Sequence, residues 1–381
     1  MYSHIFLLTR FIHPHIIKTS LKLGGYYLKE KHFFAGSNAS KGLSSYFESI
    51  LNPEKLNRLY ILKGGPGVGK SSFMKKFADK MKAKNYSVDY IHCAGDNDSI
   101  DGIIVHELKI AFVDGTAPHT IDPILPGTAD EIINLGEFLD GEQLQKHKYQ
   151  IIQINQTKSH YYKSAFKYFQ AAAIISEEIN SLYDQFIDNK KFNEMCNQVI
   201  NKLFPVYFWS DKKGKSVNMF SEAYTSDGFI SYTQPLYQDK KIWAVVGENT
   251  NYTSSLLSII ADEAVKRGYD IECFYRPLAA EKLQHLCIPE MNLMIISTEN
   301  PIHNGYEEIF DIHEFMDTDK LKAHISEIEN NLYLHDLLIN KALDKLYEAK
   351  KQHQLLEVFY INSMDFDGVN RVFDNTINKY I

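Results

Sequence analysis

Eight consecutive residues, Gly64-Gly65-Pro66-Gly67-Val68-Gly69-Lys70-Ser71, satisfy GxxxxGK[ST] in full. The glycines let the backbone turn tightly and point successive N–H groups inward, which makes a nest for phosphate oxygens. Lys70 can set an ammonium between β- and γ-phosphates, and the Ser71 hydroxyl can ligate Mg²⁺. Ser71 and Ser72 fall in the first turn of a helix, whose unpaired amides and positive dipole end add to the same field. The pattern implies a nucleotide site built from Gly64, Gly65, Pro66, Gly67, Val68, Gly69, Lys70, Ser71 and Ser72. Ser71 and a carboxylate would hold the metal.

Asp114, at the end of the apolar run Ile110-Ala111-Phe112-Val113, is that carboxylate. The group that orients water or an acceptor hydroxyl is expected among Asp96, Asp98 and Asp101, although Asp98 or Asp101 equally suits the cap of a following helix. His119 is a candidate sensor of the γ-phosphate. His92, Cys93, His106 and His119 match no standard metal spacing.

These groups need a sheet to carry them. Leu59–Leu62 reads as a buried strand running into the glycines, 71–84 as an amphipathic helix, 86–91 as a second strand and 110–113 as a third. That order argues for an α/β fold with mostly parallel sheets and helices on both faces. From Gly141 to Phe204, and again over 320–360, the texture changes to long helical arms. They are expected to pack on their own sheet or on each other, with a mobile lid over the nucleotide or a partner-binding arm as the alternatives.

The chain repeats itself. A shift of 183 residues places Gly64 on Gly247, Ser71-Ser72 on Ser254-Ser255, Tyr86 on Tyr269 and Pro118 on Pro301. A shift of 177 pairs Ala165 and Ala172 with Ala342 and Ala349. Residues 30–205 and 206–381 therefore read as tandem copies of a P-loop NTPase-like domain, with 1–29 outside the repeat as an N-terminal extension. In the second copy Thr253 stands at the position of Lys70, Tyr252 at Gly69, Thr250 at Gly67 and Ser297 at Asp114. Without the ammonium and the carboxylate this copy is expected to be a pseudo-site. Arg276, at the position of Cys93, is a candidate arginine supplied to the intact site if the halves meet face to face.

A net charge of −7 excludes a broadly basic nucleic-acid footprint. Four cysteines without a CxxC pair favour a reducing, cytoplasmic setting, and no stretch is apolar over the ~20 residues of a membrane helix. No Asn/Thr-Lys-x-Asp guanine motif stands downstream, which leans towards ATP over GTP.

His32-Phe33-Phe34-Ala35-Gly36 with Lys41-Gly42, the segment Ile61–Ser72, Val113-Asp114-Gly115-Thr116-Ala117-Pro118-His119, Asn134-Leu135-Gly136-Glu137-Phe138, Lys266-Arg267-Gly268-Tyr269-Asp270 and Ile288-Pro289-Glu290 carry a resemblance. The sequence resembles the duplicated P-loop proteins of low-GC Gram-positive bacteria, described as ATPases or nucleotide-kinase-like ATP-binding proteins. The resemblance implies ATP use and runs from residue 31 to the C-terminus; the pair Tyr252-Thr253 departs from the Gly-Lys often found in the family's second copy. The expectation is Mg-ATP hydrolysis by one P-loop. The alternatives are a small-molecule or nucleotide kinase, or a low-turnover switch or scaffold binding a protein partner.

Overall fold

The computed structural model describes residues 30–205, 210–299 and 305–381. The extension expected over 1–29, the opening 206–209 of the second copy and the repeat match at Pro301 lie outside them.

The first copy comprises β1 (Glu30–Phe34), β2 (Gly36–Ala39), β3 (Gly42–Ser45), α1 (Phe47–Ile50), β4 (Arg58–Lys63), α2 (Lys70–Lys82), β5 (Val88–His92), β6 (Ile100–Val105), β7 (Ile110–Asp114), β8 (Asp130–Asn134), α3 (Gly141–Lys146), α4 (Lys148–Asp184) and α5 (Asn189–Leu203). The second repeats the plan as β9 (Ser216–Met219), β10 (Glu222–Thr225), β11 (Gly228–Ser231), α6 (Thr233–Leu236), β12 (Lys241–Val246), α7 (Thr250–Lys266), β13 (Ile271–Tyr275), β14 (Leu283–Ile288), β15 (Leu293–Thr298), β16 (Glu308–Asp311), α8 (Thr318–Lys322), α9 (Ile325–Ile361) and α10 (Phe366–Ile377). The sheet orders are β1-β5-β6-β7-β4-β8 and β9-β13-β14-β15-β12-β16, the same arrangement twice. Both are mixed: β6 and β14 run antiparallel to both neighbours, and every other pairing is parallel.

The chain is thus two similar mixed-sheet domains, each followed by long helices. Two expectations are corrected. Residues 100–105 form β6, so Asp98 and Asp101 cap no helix. The run Ile100, Ile103, Ile104, Val105 is β-branched, and it pairs edge to edge with β5 and β7. Nor do helices cover both faces. Along β4, Tyr60 and Leu62 face α2, whereas Leu59 and Ile61 join Ala111 and Val113 against Ala244, Val246, Met294 and Ile296 of the other sheet. Period-two alternation gives each sheet two apolar faces, and the duplicated sheets bury their inner faces on each other. Among the described residues only the single-turn helices α1 and α6 share that inner layer.

The arms are exchanged. The two 37-residue helices α4 and α9 are each about 55 Å long at 1.5 Å per residue. They lie antiparallel, since His147 meets Phe359 at one end and Phe186 meets His324 at the other. Small Ala165 and Ala342, both fully buried, allow close approach at the crossing. Beyond the pair, α10 buries Val369, Phe373 and Ile377 in the first copy's core, while α5 buries Phe192, Cys196 and Val199 in the second's. Backbone clasps fix each exchange, Asp140 N to Ser363 O and Asp365 N to Phe138 O on one side, Asp188 N to Phe315 O and Asp317 N to Phe186 O on the other. The helices therefore do pack on each other, but their terminal segments cover the opposite sheet rather than their own.

Candidate functional site

β4 ends at Lys63 and α2 begins at Lys70, so Gly64–Gly69 is the intervening loop. Gly64, Gly67 and Gly69 have φ of 150°, 71° and 95°, a region open to glycine at little cost. No side chain caps α2. Its first-turn amides are the free donors that a helix start offers to an anion.

The Lys70 side chain is 10% exposed and its Nζ donates to Gly64 O at 2.9 Å and Gly65 O at 2.7 Å. The same Nζ lies 3.5 Å from Asp114 Oδ2, and Asp114 Oδ1 accepts from Thr116 N at 2.9 Å. Asp114 reaches this place because β7 pairs directly with β4, Leu62 opposite Asp114. Ser71 Oγ accepts from Ile100 N at 3.1 Å, which ties the 93–100 segment to the loop.

The remaining expected residues separate. Asp101 is buried beneath the site with Oδ2 3.7 Å from His119 Nε2. Burial pushes its carboxyl up to about 7, a hydrogen bond with Cys93 opposing and the Asp114 charge reinforcing. His119 is held below the usual imidazole range by burial, and its Nδ1 is buried without a partner. Its ring fits only because Gly36 lacks a Cβ, which would sit 2.7 Å from Cε1. Asp98 points to solvent, its side chain 93% exposed. Asp96 instead faces inward and pairs with Lys350 at 2.8 Å, which with Ser99 holds its carboxyl low despite burial.

Lys350 belongs to α9, and this contribution escaped the sequence reading. The end of α9 lies directly over the loop: a Cβ on Gly65 would meet the Tyr360 ring at 2.5 Å, and one on Gly67 would meet Ile361 at 2.9 Å. His353 and Glu357 come with it, one turn apart at 3.8 Å. Burial, then Lys158 of α4, pushes His353 down to about 4, while burial and Asp96 raise Glu357 above the usual carboxylate range. The 177-residue offset was the available signal, because it sets Glu357 on Asn180 and Tyr360 on Tyr183.

In the second copy the corresponding places are filled by the chain itself. Asn249 caps α7, accepting from Asn251 N and Tyr252 N, and Asn180 Oδ1 accepts from Thr250 N at 2.8 Å. Asn249 and Asn251 in turn donate to the Asp184 carboxylate at 2.6 and 3.1 Å. Arg276 is half-buried in its own copy, donating to Thr253 Oγ1 at 3.2 Å and Ser297 Oγ at 3.0 Å. Those are the positions of Lys70 and Asp114, so Arg276 fills the space between them and does not extend to the first copy's loop. This corrects the expectation of an arginine donated across the interface.

The residues expected to hold Mg²⁺, Ser71 and Asp114, are oxygen donors of the kind that ion takes, one or two at a time, with phosphates and water completing its shell; here Ser71 Oγ accepts from Ile100 N and Asp114 Oδ1 from Thr116 N. Among the described residues no group of three His, Cys, Asp or Glu is placed to hold a metal by itself, and no helix is long and apolar enough to cross a membrane. No family model matches the chain, and neither a curated protein nor a solved structure is detectably similar to it.

Proposed function

We propose that the first copy binds Mg-ATP in the loop Gly64–Ser72 and hydrolyses it, and that the second copy is catalytically inert. The observation that carries this reading is the contrast between two equivalent helix starts. At α2 no side chain caps the amides, and the Lys70 ammonium and the Asp114 carboxylate converge on the loop. At α7 Asn249 and Asn180 already satisfy the amides, and Thr253 and Ser297 bind an internal arginine.

In the bound state Lys70 would exchange its loop carbonyls for β- and γ-phosphate oxygens, adding charge-assisted bonds in a largely dry pocket. Mg²⁺, held through Ser71 and Asp114, would neutralise developing charge on the phosphates. Asp96, with Glu357 from the exchanged arm, would orient the attacking water, while Asp98 is too exposed for that task. The kinase alternative differs only in the acceptor, and phosphate release without an added acceptor separates the two. The test is equilibrium binding and steady-state phosphate release for the wild type beside Lys70→Ala and Asp114→Asn. Loss of turnover in both, with nucleotide affinity lowered in Lys70→Ala, is expected; wild-type affinity and turnover in Lys70→Ala would refute the reading.

A further inference from the structure

Beside the loop lies a groove of about 300 Å³ between α2 and α10, lined by Gly69, Ser72, Phe73, Phe366 and Val369, with Lys76 and Asn370 at its edge. We propose that this groove is the nucleobase subsite, so that the C-terminal arm of the inert copy supplies the base-binding wall of the working copy. The inference rests on the phosphate-site reading above.

Three observations carry it. The groove is continuous with the phosphate loop, because Gly69 and Ser72 belong to both. A nucleotide anchored by its phosphates on the α2 amides would have its sugar and base leave along that wall. The chemistry of the wall suits a flat heterocycle: Phe366 stands 3.7 Å from the position of a Cβ on Gly69, and it is partly exposed. Asn370 offers an amide at the rim, with Lys76 Nζ donating to its Oδ1 at 3.3 Å. An aromatic face with one donor–acceptor pair at its edge is what a purine requires, the amide matching adenine N6 and N7.

The third observation is internal to the chain. In the second copy the equivalent groove is already filled by an aromatic ring of the protein, Tyr252, which stands at the position of Gly69. Its hydroxyl donates to Asn189 Oδ1 at 2.7 Å and its ring meets Phe192 edge-on at 4.7 Å, and those two residues occupy the places of Phe366 and Val369. The fold thus accommodates a planar ring here once as a side chain, and leaves the same space open where the loop retains Gly-Lys.

The experiment compares ATP with inorganic tripolyphosphate, each with Mg²⁺, by calorimetry on the full chain. Phe366→Ala should weaken ATP about tenfold or more, the loss of one stacking contact, and leave tripolyphosphate affinity unchanged. Phe366→Trp, which keeps the stacking face, should retain ATP affinity. ATP affinity unchanged in both Phe366→Ala and Asn370→Ala, while Lys70→Ala loses both ligands, overturns the base subsite alone. Tripolyphosphate binding that survives Lys70→Ala overturns the phosphate-site reading and this inference with it.

Discussion

Phe373 belongs by sequence to the second copy, yet it is 8% exposed in the first copy's core, edge-on to Phe73 at a centroid separation of 5.1 Å. Truncating a buried phenylalanine to alanine costs about 3–5 kcal/mol. At about 1.4 kcal/mol per decade, Phe373→Ala should lower local protection of nearby amides by roughly a hundredfold to a few thousandfold. Hydrogen exchange read by mass spectrometry on peptides covering β4 and β7 should show that loss, with β12 and β15 little changed. The mirror variant is Val199→Ala in α5, fully buried in the second copy's core. It removes the equivalent of two methylenes, about 1.6 kcal/mol, and should act on β12 and β15 instead. Equal acceleration in both sheets, or acceleration of each variant's own copy, refutes the exchange of arms.

Three further outcomes follow from the charges. Because burial raises the Asp101 carboxyl to about 7 in the folded chain, the folded state binds the extra proton, and stability should fall as pH rises from about 4 to 7; denaturant midpoints of Asp101→Asn should lack that component and exceed the wild type at pH 8. His313, between Asp311 at 2.6 Å and Glu248 at 2.5 Å, is raised to about 10 by those hydrogen bonds, so its NMR resonances should remain those of an imidazolium at pH 8; a midpoint near 6.5 would disprove the pairing. Arg276→Ala should lower stability by about 1–2 kcal/mol through the two hydroxyls that lose their donor, while leaving phosphate release unchanged; slowed turnover with unaltered stability would restore a catalytic role.

The sequence by itself determined the local arrangements. The strand into Gly64, the helix from Lys70, the strand ending at Asp114 and the repeat all lie in patterns of a few residues, or in an offset between two such patterns. The convergence of Lys70 and Asp114 also followed from local order, since strands ending on one sheet edge bring their terminal residues together. β6 was harder to see, because Asp96 and Asp98 precede it and Asp101 lies in its first residues, a run that suits a helix cap as well as a strand entry.

Tertiary structure decided what no local window contains. Whether a sheet's second face meets helices or another sheet depends on the partner surface, and both alternatives have the same alternation of apolar residues along β4 and β12. Likewise an amphipathic α10 fits either copy's core by pattern alone. The length of α9, about 55 Å, carries it past its own domain, and the clasp between Phe138 and Asp365 then fixes it on the other. That is why His353, Glu357 and Phe366, more than 280 residues from Lys70 in the chain, stand beside it in the fold.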